Sequence, residues 1–317
     1  MRSAKPLPPC AFPGNPAVMH RSRAPIPAPV KATWGSRFQG AWKKLAERLD
    51  RGTGWAATLC MIPWPSPKMQ LYSLVHANLA LWALGFTLAF AFTARWLRAV
   101  TVSGAIAGGI LAFLLFVAAG PGAFVALIVV FLLTWTTTRI GHQRKRQLGT
   151  AEKRGGRSAS QVVANIGVAA AAVLVGLLTR HSAGLVACSA ALAEAAADTT
   201  SSEVGQAASD SAYLITSFRP VPVGTDGGIS FAGTLAGIAA AAVVAAVCCV
   251  TGMIARSSLL PVAAAGVLGM IVDSFLGATL ERQRLLNNDA VNLLSTIAAA
   301  LFALFLYWSS PGQFPLP

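Results

Sequence analysis

The chain is 317 residues long, and 55% of its residues are hydrophobic while only 11% are charged. A typical soluble domain carries about 25% charged residues, and a helix needs roughly 20 apolar residues to cross a bilayer. This composition excludes an ordinary soluble domain and predicts an all-α, polytopic helical membrane protein.

The net charge of +14 suggests a nucleic-acid-binding protein until it is divided along the chain. Residues 1–70 contribute +9, from 11 Lys and Arg against 2 acids, and residues 71–317 contribute +5, from 14 against 9. Seven of those 14 cations lie between Arg139 and Arg157. Such clustering is typical of a cytoplasmic loop under the positive-inside rule, so no nucleic-acid partner is expected. No CxxC occurs, which disfavours a zinc or redox protein.

Residues 1–68 differ from the rest of the chain. They contain 11 of the 18 prolines and no acid before Glu47. Three interpretations stay open: a disordered basic tail, a targeting peptide, or a segment upstream of a true start at Met69. The transmembrane helical domain is expected to cover residues 69–317.

Eight apolar segments predict seven to eight transmembrane helices. They cover approximately 74–92, 99–118, 121–138, 161–178, 183–198, 232–253, 259–277 and 290–308. Alternation places four cation-rich or polar connections on one face, at 95–98, 139–160, 199–231 and 279–289. The positive-inside rule predicts that this face, and with it the active site, is cytoplasmic. The expected location is the bacterial cytoplasmic membrane, or an organellar membrane if residues 1–68 are a targeting peptide.

The stretch "LAEAAADTTSSEVG", residues 192–205, ends an apolar segment with three carboxylates. Glu194 and Asp198 are four residues apart and share a helix face. Glu203 leaves that face on a continuous helix, so "TTSS" is the predicted break. An ionised carboxylate at the bilayer centre costs about 2.5–3.5 kcal/mol, which predicts compensation by a divalent cation, a basic residue or water. A capped helix end is the alternative interpretation.

The stretch "RPVPVGTDGGISFAGTLAG", residues 219–237, combines glycines and hydroxyls before a helix. Backbone N–H groups at a helix N-terminus bind anions, and glycines allow close approach. Asp226 among them suggests a Mg²⁺ ion that bridges to phosphate. A glycine-rich turn is the alternative. The candidate phosphate-binding residues in this stretch are Arg219, Gly224, Thr225, Gly227, Gly228 and Thr234.

Two further segments carry polar residues into apolar helices. Arg154 and Arg157 precede a helix on which Gln161 and Asn165 share one face, and positive-inside charge explains the arginines but not the amides. Asp273 is a lone acid in an apolar helix and is therefore a candidate functional residue. Carboxylates, arginines and a glycine loop together are typical of metal-assisted phosphoryl transfer.

A family resemblance extends over about residues 70–310. The segments "KRGGRSASQVVANIG", "AEAAADTTSSEVG", "VPVGTDGGISFAGTLAG" and "DSFLGATLE" resemble the successive motifs of an integral membrane family that includes plant phytyl-phosphate kinase and transmembrane protein nineteen. The Asp-x-x-x-Ser-x-x-Gly and Gly-Thr elements are also similar to those of polyprenol and dolichol kinases, which use CTP. The resemblance implies an isoprenoid or prenyl-phosphate kinase that uses Mg²⁺ and either CTP or ATP. Thr200 departs from the tryptophan frequent in the family, and Glu281 from its glutamine.

The implied roles follow from these positions. Asp198 and Glu203 would bind Mg²⁺, and Asp226 or Asp273 would complete its shell. Asn165 would orient a phosphate, beside the arginines and the glycine loop. A prenyl monophosphate needs no general base, whereas an alcohol needs one within hydrogen-bond reach, for which Asp273 or Glu194 is the candidate.

Two other classes of protein fit the same residues. A transporter or flippase of a lipid or phosphorylated solute also carries polar groups and broken helices within the membrane. A CTP-dependent cytidylyltransferase acting on a lipid phosphate would use the same metal and phosphate groups. The expected partners are a nucleotide, an isoprenoid lipid and membrane lipids, and no oligomeric state is predicted.

Overall fold

The computed structural model describes residues 67–152 and 155–309. The predicted tail of residues 1–68 lies outside this range apart from its last two residues, so its interpretation stays a prediction. Arg154, a predicted phosphate ligand, also lies outside the described residues.

Nine α-helices and three short strands make up the described residues. The helices are α1 (Pro67–Trp96), α2 (Val102–Ala119), α3 (Pro121–Arg139), α4 (His142–Leu148), α5 (Ala159–Thr179), α6 (Ala183–Ala208), α7 (Phe231–Val250), α8 (Leu259–Leu276) and α9 (Asn288–Ser309). The strands are β1 (Ala212–Leu214), β2 (Pro220–Val221) and β3 (Gly228–Ile229). A 3₁₀ turn, Arg256–Ser258, precedes α8, and a π-helical turn, Gly277–Glu281, follows it. Each of the eight predicted segments corresponds to one long helix.

Seven of the described helices are long and apolar enough to cross a membrane: α1, α2, α3, α5, α7, α8 and α9. Large apolar side chains such as Trp82, Phe92 and Leu178 remain exposed on them. Contiguous apolar surface of this kind is uncommon on a soluble monomer and is expected where lipid surrounds a helix bundle. The prediction of an all-α polytopic membrane protein is confirmed.

The eighth long helix, α6, lies at the centre of the bundle. It packs against α3, α5, α7, α8 and α9, and every residue from Val186 to Ala197 is buried. Alanine side chains allow this because they let neighbouring backbones approach closely. The helix continues through "TTSS" to Ala208, so the predicted break there was wrong. Thr199 and Thr200 are buried against neighbouring helices instead of ending the helix.

A three-stranded antiparallel sheet, which the sequence analysis missed, fills the connection between α6 and α7. Its strand order is β2-β1-β3, with Tyr213 opposite both Pro220 and Ile229. Strands of two or three residues are too short to produce a recognisable alternation of apolar and polar residues. Ser230 is the N-cap of α7, and its hydroxyl accepts the N–H of Gly233 at 3.2 Å.

The segment before α5 is bound to the segment before α2. Thr101 N–H donates to the carbonyl of Arg157, and Arg157 N–H donates to the carbonyl of Ala99, both at 2.9 Å. Gly104 is required for this contact, because an added Cβ would collide with the Arg157 carbonyl oxygen. The backbone of Arg157 is therefore held in place by its hydrogen bonds to Ala99 and Thr101.

We predict that Gly104→Ala destabilises the protein. Its methyl group would meet backbone, which cannot move aside as a side chain does, so the expected cost is about 1–3 kcal/mol. Gly85→Ala is the matched control, since nothing lies within 4 Å of its added Cβ. Thermal unfolding in detergent should show a lower Tm for Gly104→Ala only, and an unchanged Tm would contradict the packing argument.

Candidate functional site

A cavity of about 160 Å³ opens at the end of the bundle where α5 and α9 begin and α6 ends, and we call it the polar cavity. Three of the four polar segments of the sequence meet there. It is lined by Thr150, Glu152, Arg157, Gln161, Asn165, Asp198, Thr199, Ser202, Glu203, Gln206, Asp273, Asn288 and Asn292.

Three carboxyl groups form a connected cluster beside this cavity. Ser295 Oγ lies 2.7 Å from Glu194 Oε1 and 3.2 Å from Asp273 Oδ2. Asp198 lies close enough to Asp273 for the two carboxyl groups to interact electrostatically. Asp198 and Asp273 line the cavity, whereas Glu194, buried to 1% exposure, lies behind them. The predicted catalytic residues Glu194, Asp198 and Asp273 are thus adjacent in space, and their catalytic roles stay predictions.

The cluster has more acceptors than donors. The Ser295 hydroxyl has a single proton for two carboxyl groups, and two carboxylates cannot hydrogen-bond to each other without a proton between them. Arg157 supplies the positive charge that acts on Asp198, and its Nη2 donates to Thr199 Oγ1 at 3.3 Å. The cluster therefore has an excess of hydrogen-bond acceptors and of potential negative charge, which an additional proton or cation would balance.

Gln206 adds an acceptor to the same wall. Its Oε1 is buried without a hydrogen-bond partner. Mg²⁺ is usually held by one or two carboxylates together with substrate phosphates. Asp198 and Asp273 are therefore the carboxylates on this wall that could hold a Mg²⁺ ion, whereas Gln206 lies eight residues along α6 from Asp198, a rise of about 12 Å, and is too distant to share it. Across residues 67–152 and 155–309, no three His, Cys, Asp or Glu side chains are grouped as a ready metal site.

Glu203 was predicted to bind a metal ion, but both of its carboxylate oxygens accept hydrogen bonds from protein side chains. Its Oε2 accepts from Lys145 Nζ at 2.6 Å, and its Oε1 accepts from Thr138 Oγ1 at 2.9 Å. Lys145 is 1% exposed and also donates to the carbonyls of Thr137 and Thr138. The ion pair joins α4 to α3 and α6. Metal binding by Glu203 stays a prediction, although the carboxylate also lines the polar cavity.

The glycine-rich loop lies beside the polar cavity without lining it. Gly224, with φ of +90°, packs on Thr150, and Gly227, with φ of +72°, packs on Ala278 in the π-helical turn. The hydroxyl of Thr225 donates to the carbonyl of Pro222 at 2.7 Å. The predicted ligands absent from the cavity wall are Arg219, Gly224, Thr225, Asp226, Gly227, Gly228 and Thr234. Their phosphate-binding and metal-binding roles stay predictions.

Arg157 and Asn165 are the predicted phosphate ligands that do line the polar cavity. Ser158 begins α5 with a capping box, in which its backbone N–H donates to Gln161 Oε1 at 2.7 Å. Asn165 is buried, and its Nδ2 donates to the Gln161 carbonyl at 2.8 Å. Both amides are therefore held in place within the first two turns of α5.

Two further cavities share walls with the polar cavity. An apolar cavity of about 90 Å³ lies between α1, α2, α3 and α5, and it has Arg157, Gln161 and Asn165 in common with the polar cavity. A basic cavity of about 420 Å³ is lined by Arg98, Ala99, Val100, Phe131, Thr134, Trp135, Thr138, Arg139, His142, Glu152, Gly156 and Arg157. Arg157 lines all three cavities.

Sequence reasoning missed several of these residues. Lys145 and Arg98 were counted only among the loop cations, and Ser295 is one hydroxyl in an apolar helix. Nothing in the local sequence distinguishes a buried lysine from a solvated one. The glycines of α2 were the available signal for the apolar cavity, because a helix face without side chains leaves space beside it.

We predict that Lys145→Met is strongly destabilising. It leaves the Glu203 carboxylate without its cation, and breaking a buried ion pair in this way costs about 3–5 kcal/mol. The double variant Lys145→Met/Glu203→Gln should recover part of this loss. Thermal unfolding in detergent measures both changes.

Arg144→Met is the control for that experiment. Arg144 belongs to an exposed ion pair with Asp210, whose side chain is 96% exposed, and exposed pairs contribute little. Equal losses of stability in Lys145→Met and Arg144→Met would show that burial of the Lys145–Glu203 pair has no special effect.

Comparison with known proteins places these features in a family. Residues 85–300 match the family described as integral membrane protein DUF92. The chain is 30% identical to Protein VTE6, chloroplastic, of Arabidopsis thaliana, over 86% of this chain and 81% of the relative. It is 31% identical to Protein PGR of the same plant, over 60% of this chain and 75% of the relative.

A relative also occurs in an archaeon. An uncharacterised membrane protein of Methanocaldococcus jannaschii is 30% identical over 66% of this chain and 87% of its own length. No solved structure matches the chain. The family resemblance inferred from the motifs is confirmed.

Proposed function

Because this chain belongs to the integral membrane protein family DUF92, we propose that it is a prenyl-phosphate kinase. It would transfer the terminal phosphoryl group of a nucleotide to a membrane-dissolved prenyl monophosphate. One observation carries the proposal: a cavity lined by Asp198, Asp273 and Arg157 shares a wall with an apolar cavity between membrane-spanning helices. An acceptor with a charged head and a hydrocarbon chain matches that pair of cavities.

The shared wall favours a phosphate over an alcohol as the acceptor. Arg157, Gln161 and Asn165 stand between the two cavities. A guanidinium and two amides suit an anionic head, since arginine binds phosphate oxygens through paired hydrogen bonds. The first isoprenoid units would then lie in the apolar cavity, against Gly104, Gly108 and Gly109 of α2.

The reaction balances without a protein base. An oxygen of the ionised acceptor phosphate attacks the γ-phosphorus, the bond from that phosphorus to the β–γ bridging oxygen breaks, and a prenyl diphosphate and a nucleoside diphosphate result. Asp198 and Asp273 would hold the Mg²⁺, which when bound supplies charge neutralisation for the phosphates. Arg157 and Asn165 orient the acceptor phosphate.

Glu194 and Ser295 act as positioning residues in this proposal. They lie behind Asp273, and Ser295 is within hydrogen-bonding distance of both carboxyl groups. Ser295→Ala should therefore weaken Mg²⁺ binding and raise the Mg²⁺ concentration for half-maximal activity several-fold. A merely structural role would instead lower Tm and leave that concentration unchanged.

The proposal is tested with purified full-length protein in detergent and Mg²⁺. CTP and ATP, labelled separately at the α- and γ-phosphates, are offered with phytyl and geranylgeranyl monophosphates and with the corresponding alcohols. We expect γ-label in a prenyl diphosphate. Asp198→Asn should lower the rate at least about 100-fold, the order found when one electrostatic group of an active site is removed. Asp210→Asn, at an exposed acid outside the cavity, is the control and should retain activity.

The other products identify the rival functions. Label in a prenyl monophosphate made from the alcohol would make the protein a prenol kinase, with Asp273 or Glu194 as the candidate base. Retention of α-label in the lipid product would indicate a cytidylyltransferase or another nucleotidyltransferase. No labelled lipid from folded protein would overturn the kinase proposal and favour a transporter.

We also predict that Gly108→Leu weakens acceptor binding by filling the apolar cavity. An added Cβ at Gly108 lies 3.7 Å from Val162 Cγ1, so the first carbon fits and the isobutyl group then occupies the space of the chain. KM for geranylgeranyl phosphate should rise about 10-fold, as expected for the loss of about two buried methylene groups. Gly85→Leu, on an open face, is the control, and equal KM values in the two variants would argue against this chain site.

A further inference from the structure

We infer that the basic cavity binds the polyphosphate of the nucleotide donor, with Arg98, Arg139 and Arg157 as its cations. This inference rests on the proposed kinase function. It assigns the donor to a different place from the glycine-rich loop, whose residues line none of the three cavities. The cavity of about 420 Å³ lies within the range of small-molecule sites, about 300–1,000 Å³.

The cations of the basic cavity come from separate elements. Arg98 lies between α1 and α2, Arg139 ends α3, and Arg157 precedes α5. His142, at the start of α4, also lines the cavity, and Glu152 is its one acidic lining residue. Arginines that converge from three directions suit a polyphosphate, because each guanidinium can bind two phosphate oxygens.

Local contacts hold the Arg139 side chain and the Arg157 backbone in position. Arg139 Nη2 donates to the carbonyl of Leu97 at 2.6 Å, and its guanidinium carbon lies 4.7 Å from the centre of the Trp135 ring. Arg98 has a left-handed backbone with φ of 55°, which is uncommon for a residue other than glycine. The backbone of Arg157 is bound to Ala99 in the same connection. Arg139 and Arg157 thus contact other segments, whereas Arg98 is exposed and only its backbone conformation is distinctive.

Trp135 provides an independent observation. It lines the basic cavity, and its indole Nε1 is buried without a hydrogen-bond partner. A buried donor left without an acceptor costs about 1–3 kcal/mol, so such groups are usually paired. Because Nε1 has no solvent access, a phosphate or base oxygen of a bound nucleotide would become its acceptor only after the ring rotates toward the cavity.

The basic cavity adjoins the polar cavity in which the reaction is proposed to occur. The basic and polar cavities share Glu152 and Arg157. A polyphosphate in the basic cavity would therefore present its terminal phosphate past Arg157 toward Asp198 and Asp273. Arg157 also lines the apolar cavity, so the phosphates of donor and acceptor would both lie within reach of one guanidinium.

The experiment measures equilibrium binding of labelled CTP and ATP to full-length protein in detergent. Arg98→Gln and Arg139→Gln should each raise the Kd of the donor nucleotide about 10-fold, which corresponds to a loss of about 1.4 kcal/mol of binding free energy. Inorganic tripolyphosphate should displace the nucleotide from the wild-type protein. Arg95→Gln is the matched control, because Arg95 is exposed three residues before Arg98 and lines none of the three cavities.

Kinetics separates this inference from the proposed function. If prenyl-phosphate kinase activity is present, both arginine variants should raise KM for the nucleotide and leave KM for the lipid acceptor unchanged. If that activity is absent while nucleotide binding still depends on Arg98 and Arg139, the donor site stands and the acceptor assignment falls. Arg139→Lys should retain part of the binding, since the charge remains.

Three outcomes would overturn the inference. Unchanged nucleotide binding in both glutamine variants would do so, with the kinase proposal intact. Loss of binding in Arg219→Gln alone would place the donor at the glycine-rich loop. Phosphatidic acid in mixed detergent micelles that competes fully with tripolyphosphate, in protein that binds no nucleotide, would identify a site for lipid headgroup phosphates. Monodisperse elution and unchanged Tm of each variant exclude misfolding.

Discussion

The constraint on which the rest of the structure depends is the presence of carboxyl groups in the buried core of a membrane bundle. Glu194, Asp198 and Asp273 lie among helices in which an uncompensated charge is costly. Two interactions offset part of this cost. Ser295 is shared by two of the carboxyl groups, and the guanidinium of Arg157 acts on the third. Ser295 has one proton for two carboxyl groups, so the cluster keeps an excess of acceptors.

The composition of α6 makes this arrangement possible. Its alanines let five helices pack around it, which brings residues from distant parts of the sequence to one end of the bundle. The glycines serve a related purpose where backbones touch, as at Gly104 beside Arg157 and Gly227 beside Ala278. Close packing therefore fixes the backbone from which each polar side chain reaches the cavities.

Arg157 connects the proposed parts of the site. Its backbone is held by the segment before α2, its side chain acts on Asp198, and it lines all three cavities. An arginine suits this position because its planar guanidinium can bind more than one anionic group at once. Lys145 has the opposite character: it is buried in an ion pair with Glu203 and holds α4 against the bundle.

The sequence by itself determined the membrane class, the eight long helices and the family, because these follow from apolar length and from motif order. It also identified Asp198, Asp273, Arg157 and Asn165 as residues that converge, since polar groups in apolar helices stand out. Only the tertiary structure decided that α6 continues through "TTSS", that the glycine-rich loop packs on Thr150 and Ala278 outside the wall of the polar cavity, and which loop cations are buried. Those outcomes depend on contacts between segments far apart in the chain, and local composition does not encode them.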